Sequence, residues 1–230
     1  MSGLAERRAG RWSDLGTRTL SAAVLAPLAV ACIWAGGIAF VILIAAAMLG
    51  LVAEWLGLCR RIRSLTFRSA GLAYVALAGA ALLWLRDDAE AGRDNVLFLL
   101  LIVWACDIGA YLVGRWVGGP RMAPRTSPGK TWSGAIGGLL AAVAIGSLVA
   151  HLLSNPETWR VVLLAAGLAG VAQAGDLLES FVKRRLEVKD SGHLIPGHGG
   201  LFDRLDGVLA TAPVAALLAL IQGRGVVLWQ

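Results

Sequence analysis

The sequence predicts an all-α fold: a polytopic membrane bundle of about seven spanning helices, N-terminus inside and C-terminus outside. Three observations predict it. First, 57% of the 230 residues are hydrophobic, 16% are charged, and the mean hydropathy is +0.71. Soluble domains are roughly 45–50% apolar and about 25% charged. Second, the apolar residues come in long blocks. Leu20 to Leu58 holds one charge, Glu54, and Ser133 to Ser154 holds no Asp, Glu, Lys or Arg. About 20 mostly apolar residues suffice to span a bilayer as a helix. Third, the basic residues are distributed asymmetrically between the segments that join these blocks, as membrane topology requires.

Residues 1–18 form a basic arm, expected on the cytoplasmic side. Residues 19–230 are expected to form a single transmembrane domain. Its spans are expected at about 19–35, 38–58, 69–85, 96–115, 133–153, 161–180 and 207–222. Arg7 and Arg8 are paired, but no apolar stretch follows closely, so no cleaved signal is expected and the first span stays as an anchor. Gly36-Gly37 makes a tight outer turn. "CRRIRSLTFR" (59–68) is a short inner loop, and "RDDAEAGRDN" (86–95) is an outer loop richer in acids. "VGGPRMAPRTSPGKT" (117–131) is too broken by Gly and Pro for a helix. "NPETWR" (155–160) turns outside, and a long polar loop at 183–206 lies inside. With this threading, 17 of the 21 Lys and Arg fall inside and only Arg86, Arg93, Arg160 and Arg224 fall outside. The net charge of +6 therefore reads as topology, and no nucleic-acid partner is expected.

Several side chains do not suit a lipid interior. An ionisable residue in a span costs several kcal/mol and is a functional candidate by default. Asp107 lies within the fourth span, with Tyr111 and Gly114 on the same helix face. Asp176, Glu179, Ser180 and Lys183 fall at i, i+3, i+4 and i+7 near the inner end of the sixth, and Gln173 extends that stripe. Asp203 and Asp206 open the seventh, where a helix N-terminus favours carboxylates in any case. Glu54 reads as a paired or snorkelling acid. Cys32, Cys59 and Cys106 lie in or beside apolar spans and read as small buried hydrophobes, with no disulfide framework.

All the unusual polarity converges on the inner half of the bilayer. Carboxylates mixed with Lys and Arg point to hard-cation and phosphate chemistry, since Mg²⁺ takes one or two carboxylates plus substrate phosphates. Asp176, Asp203 and Asp206 are the expected metal ligands. Lys183, Arg184, Lys189 and Arg204 could neutralise a polyphosphate. The glycines of "PGHGG" let backbone N–H groups approach phosphate oxygens. His193 and His198 lack the partners a zinc site needs. "SPGKT" (127–131) is not a P-loop, because Pro124 stands where the earlier glycine belongs, but Lys130 could still hold a phosphate.

"SFVKRRLEVKDSGHLIPGHGGLFDRLD" (180–206) resembles the signature of phosphatidate cytidylyltransferases, the integral-membrane CDP-diacylglycerol synthases. Ser180, Lys183, Arg184, Lys189, Asp190, Gly192, Pro196, His198, Gly199, Gly200, Asp203, Arg204 and Asp206 all stand where that pattern asks. "GDLLES", "WACDIGAYLVGR" and "SPGKT" are similar to other segments of the family, so the resemblance covers about residues 104–208. Two departures stand out. Ser133 occupies a place where the family often has an acid, and the chain is short, with one or two N-terminal helices fewer than members often have.

The resemblance implies transfer of the CMP moiety of CTP to phosphatidic acid, giving CDP-diacylglycerol and pyrophosphate for phospholipid biosynthesis. It implies a multi-pass enzyme of the bacterial inner membrane with its site facing the cytoplasm, Mg²⁺ with room for a second cation, and a homodimer. Asp176, Lys183, Asp203 and Asp206 are then the catalytic residues. Asp107, Lys130, Ser180, Arg184, Lys189, Asp190, His198, Gly199, Gly200 and Arg204 are the substrate-binding ones. A CTP-dependent lipid or polyprenol kinase is the nearest alternative. A cation-coupled membrane transporter is the alternative from another class.

Overall fold

The computed structural model describes residues 23–61, 64–154, 157–188, 190–192 and 199–230. The chain is helical almost throughout. A short apolar helix, α1 (Ala23–Ala35), is followed by six helices long and apolar enough to cross a membrane. These are α2 (Gly37–Leu58), α3 (Leu65–Arg86), α4 (Gly92–Val117), α5 (Trp132–Ser154), α6 (Thr158–Arg185) and α7 (Phe202–Gln222). The expected spans from the second onward match these helices, which run a few residues further at several ends. Of the expected first span, α1 is the described part, and residues 19–22 lie outside the described residues, as does the arm at 1–18.

One element was not expected. Between α4 and α5 the chain forms an antiparallel hairpin, β1 (Arg121–Ala123) and β2 (Ser127–Thr131), with Arg121 opposite Thr131, Ala123 opposite Ser127 and an irregularity between. Pro and Gly exclude a helix here, but a two-strand edge tolerates both. Thr131 Oγ1 accepts from Gly134 N at 3.1 Å, the i, i+3 geometry of a helix N-cap, and so starts α5 directly at the hairpin's end. Ser133 Oγ donates to Gly118 O at the end of α4 and meets Thr131 Oγ1 at 3.0 Å. In this chain Ser133 thus ties the base of the hairpin.

Helices α4 and α5 pack through a seam of small residues. A Cβ on Gly134 would lie 2.8 Å from Ala110 O, and one on Gly138 would lie 2.6 Å from Cys106 O. A Cβ on Gly109 would lie 2.5 Å from Ala141 Cβ. Water gives no drive to helix association inside lipid, so close backbone approach supplies the packing. Gly146 and Ala150 extend the seam, with Gly146 against Ile102 and Ala165 and Ala150 wholly buried. Away from the interior, large apolar side chains such as Ile38 and Leu49 lie mostly exposed, the surface that lipid tails would cover.

The end of the bundle opposite the hairpin is closed by specific polar contacts. Arg86 Nε donates to Ile33 O at 2.7 Å, satisfying the C-terminal end of α1. Buried Asn95 accepts from Leu228 N at 2.8 Å and donates to Val226 O at 3.4 Å, while Trp229 packs on Phe98 with ring centroids 4.6 Å apart. Asp88 accepts from Ala91 N at 2.9 Å and from Gly225 N at 2.7 Å. Those backbone N–H groups hold its carboxyl below the usual carboxylate range. The three cysteines are free, with Cys59 and Cys106 buried and Cys32 partly so, and burial pushes the Cys59 thiol up.

Candidate active site

At the hairpin end, α4, β2, α6 and α7 surround a cavity of about 500 Å³. Each element contributes by its own periodicity. From α4 come Asp107, Tyr111, Gly114 and Arg115, at i, i+4, i+7 and i+8. From β2 comes Lys130. Helix α6 presents Gln173, Asp176, Glu179 and Lys183, and the first turns of α7 present Asp203, Arg204 and Asp206. Four acids of the stripe and the α7 start therefore share one cavity with Asp107 and four cations, Arg115, Lys130, Lys183 and Arg204.

Carboxylate oxygens of Asp176, Glu179 and Asp206 lie within 4.8 Å of one another, an arrangement able to hold a metal ion. Lys130 Nζ flanks this group, 2.6 Å from Asp176 Oδ2. That contact is an ion pair made off the hydrogen-bond direction. Lys183 Nζ flanks the other side, 3.3 Å from Glu179 Oε2 and 2.6 Å from Asp203 Oδ1. Asp203, expected among the metal ligands, lies outside the triad. Its Oδ2 accepts from Ser191 N at 3.1 Å and Gly200 N at 3.0 Å, and its Oδ1 from Lys183. Glu179, on the polar stripe of α6, takes the third place in this group beside Asp176 and Asp206. The i, i+3 spacing from Asp176 was the available signal.

Another carboxylate holds the described arms of the polar loop at 183–206. Glu54, on α2, is buried, 6% exposed, and among the described residues it makes hydrogen bonds and no ion pair. Its Oε1 accepts from Leu201 N at 2.8 Å. Its Oε2 accepts from Phe202 N at 2.9 Å and from Ser191 Oγ at 3.3 Å. It thus satisfies the free N–H groups at the start of α7, which lacks a side-chain cap of its own. The space around it explains two loop glycines. A Cβ on Gly192 would lie 2.7 Å from Glu54 Oε1, and one on Gly200 would lie 1.8 Å from Ser191 Oγ. Gly199 has φ +82°, a left-handed conformation that favours glycine.

The remaining expected residues are placed as follows. Arg184 Nε donates to Thr126 O at 3.1 Å and ties α6 to the hairpin tip, outside the cavity lining. Ser180 is half-buried on α6 and does not line the cavity, and Asp190 is exposed. Lys189, His193, Pro196 and His198 lie outside the described residues.

The model of the cytidylyltransferase family matches residues 60–221, which holds every cavity-lining residue named above. A phosphatidate cytidylyltransferase of Brucella suis biovar 1 (strain 1330) is 52% identical over 153 residues, covering 66% of this chain and 57% of the relative. Another, of Rickettsia bellii (strain RML369-C), is 35% identical over 210 residues, covering 88% of this chain and 89% of the relative. That of Haemophilus influenzae is 41% identical over 131 residues, 55% of this chain and 46% of the relative. The chain spans a little over half the length of the Brucella relatives it matches. With a family match across most of its helices, the chain belongs to the cytidylyltransferase family.

Proposed function

We propose that residues 19–230 form one catalytic unit that transfers the cytidylyl group of CTP to phosphatidic acid, releasing pyrophosphate. The observation that carries this reading is the cavity itself. It joins a three-carboxylate group to Lys130, Lys183 and Arg204 at one end of a membrane bundle, in a chain similar to proteins named phosphatidate cytidylyltransferase. The asymmetry of Lys and Arg supports a cytoplasmic position for that end, and the bacterial relatives suggest the inner membrane. Pairing of two copies rests on the family likeness alone and is read from the mass of the solubilised protein.

In the reaction a phosphate oxygen of the lipid attacks the α-phosphorus of CTP. The new O–P bond forms as the bond to the β-phosphate oxygen breaks, and pyrophosphate leaves with that electron pair. No general base is needed, because the lipid phosphate is already ionised. The problem is repulsion between two anions. Lys130, Lys183 and Arg204 would draw both into the cavity and hold them in register, which is the main contribution a site makes to phosphoryl chemistry. The donor set fits Mg²⁺, since Asp176, Glu179 and Asp206 offer only hard oxygen atoms. When bound, that ion neutralises charge on the phosphates. Asp203 would set the position of Lys183 and of the loop arms at Ser191 and Gly200.

The test uses the full-length protein in detergent with phosphatidic acid, Mg²⁺, and CTP labelled at the α or the γ phosphate. Label passing into lipid from α-CTP alone supports the proposal. Label from γ-CTP alone means a kinase, and no transfer from either by folded protein overturns the reaction with this acceptor.

A further inference from the structure

Helices α4 and α5 each carry an exposed apolar stripe that ends in a tryptophan beside the hairpin. On α4 it runs Ile108, Leu112, Trp116, and on α5 Leu140, Ile136, Trp132, both with a spacing of four residues. Trp116 is 83% exposed and Trp132 55%. Tryptophan favours the boundary between hydrocarbon and headgroups, so the pair marks that level where the hairpin leaves the bundle. Strand β2 has five residues and reaches about 15 Å at about 3.3 Å per residue. The headgroup layer is about 5–8 Å thick on each side of the hydrocarbon, and charges are screened over about 8 Å at physiological salt. Even standing upright, the hairpin keeps its tip within about one screening length of the headgroups.

Its charge has one sign. From Ile108 to Pro156 the sequence holds no Asp or Glu. Arg121 stands at the open end of the hairpin and Arg125 in its turn, both exposed. Arg184 reaches the same turn, where its Nε donates to Thr126 O at 3.1 Å, and it too is exposed. Among the described residues no carboxylate pairs with Arg121 or Arg125, whereas Lys130 on the same hairpin pairs with Asp176. Near the junction of α2 and α3, by contrast, a cation is used inside the fold: Arg68 Nη2 donates to Cys59 O at 2.9 Å. Membrane topology asks only for positive charge in a loop. It does not ask for a folded hairpin between two boundary tryptophans with its arginines turned outward.

We propose that the β1–β2 hairpin docks on the anionic headgroups of the adjoining leaflet, with Arg121, Arg125 and Arg184 against phosphates of lipids that are not the substrate. The guanidinium fork matches a pair of phosphate oxygens, and the surface supplies many such groups at the level the tryptophans mark. Strand β2 also carries Lys130 into the cavity. A docked hairpin therefore fixes the cation that meets the nucleotide, and anionic lipid becomes an activator. That last step rests on the cytidylyl-transfer reading, and the docking does not. A free phosphate ion offers the same chemistry without the surface, so the experiment separates the two.

The experiment is hydrogen exchange of the full-length protein in nanodiscs of phosphatidylcholine, with and without phosphatidylglycerol, in the absence of nucleotide. Each basic side chain near an anionic surface strengthens attachment about fivefold. Amides of residues 121–131 should exchange at least about fivefold more slowly with phosphatidylglycerol present, while those in the middle of α5 exchange alike in both. Arg121→Gln with Arg125→Gln should weaken attachment about 25-fold and remove the difference. Equal exchange of the wild-type hairpin in the two bilayers would overturn the proposal, whether or not the variant folds. So would protection retained in the double variant. Equal slowing by inorganic phosphate added to phosphatidylcholine nanodiscs would also overturn it, by showing a site for free anions. Exchange needs no turnover, so the two readings can fail separately. A hairpin protected by phosphatidylglycerol in a protein that transfers no cytidylyl group keeps the docking and sinks the reaction. An active protein whose hairpin ignores phosphatidylglycerol does the reverse.

Discussion

Replacing Glu54 by Gln is the sharpest test of how the polar loop at 183–206 is held. The carboxylate accepts from Leu201 N, Phe202 N and Ser191 Oγ with both oxygens and is nearly sealed from solvent. Glutamine is almost the same shape but has one acceptor oxygen. Its amide nitrogen must then face one of the two backbone N–H groups, donor against donor. A buried donor left without a partner costs about 1–3 kcal/mol, and a hydrogen bond to a charged group contributes about 1.5–3 kcal/mol. The two figures describe one event, so the net loss is about 2–3 kcal/mol. At 1.4 kcal/mol per tenfold, opening of the loop arms becomes about 30 to 150 times more frequent. Hydrogen exchange at the Leu201 and Phe202 amides reads this directly, and both should lose protection by that factor. Steady-state kcat/KM gives a lower bound, because activity falls only once the docked fraction falls. Glu54→Asp keeps both oxygens on a shorter stem and should recover part of both. If Glu54→Gln exchanges its Leu201 and Phe202 amides as slowly as wild type does, the clasp is not what positions the loop.

Other outcomes follow from the same geometry. Gly200→Ala puts a methyl 1.8 Å from Ser191 Oγ, so the arms cannot close, and turnover should fall at least about a hundredfold while the protein still inserts. Asp203→Asn and Glu179→Gln should each sharply reduce label transfer from α-CTP without abolishing it. They differ in metal titration: only Glu179→Gln should weaken Mg²⁺ activation of residual activity, and equal Mg²⁺ dependence in both would refute the triad. Lys130→Ala should raise the KM for CTP by about tenfold or more, as loss of a charged contact does, and an unchanged value would remove Lys130 from nucleotide binding. At the opposite end, Asp88 titrates below the ordinary carboxylate range. Its hold on Gly225 is therefore full above that range and is lost as pH falls through its own lowered value. Exchange at the Gly225 amide should quicken on acidification in wild type and be quick at every pH in Asp88→Ala.

Much of this architecture was legible in the sequence because lipid allows few alternatives. Blocks of about 20 apolar residues admit only helices, and α2 through α7 lie where those blocks lie. The stripe Asp176, Glu179, Lys183 was equally readable, since i, i+3 and i+7 share a helix face whatever packs against it. What could not be read depended on contacts far apart in the chain. Asp203 and Asp206 are nearly equivalent on a helical wheel. Lys183 and the N–H groups of Ser191 and Gly200 engage the first, and Asp176 and Glu179 neighbour the second. Glu54 acts on residues 137 to 148 positions away, and no local pattern marks it. The hairpin was hidden for another reason: Gly and Pro say only what a segment is not.

The length of α6 has a further consequence. Twenty-eight residues make a helix of about 42 Å, some 12 Å longer than the hydrocarbon of a bilayer. With Trp159 at one boundary, the oily slab ends near residue 179, by a rise of 1.5 Å per residue. The carboxylates then stand in the zone where lipid phosphates reside. In the proposed reaction, a lipid substrate confined to that plane has no need to be lifted into water. Its encounter with the enzyme is a search in two dimensions, set by how many such lipids the leaflet holds. The nucleotide of that proposed reaction arrives from solution and is its only reactant that crosses a phase boundary.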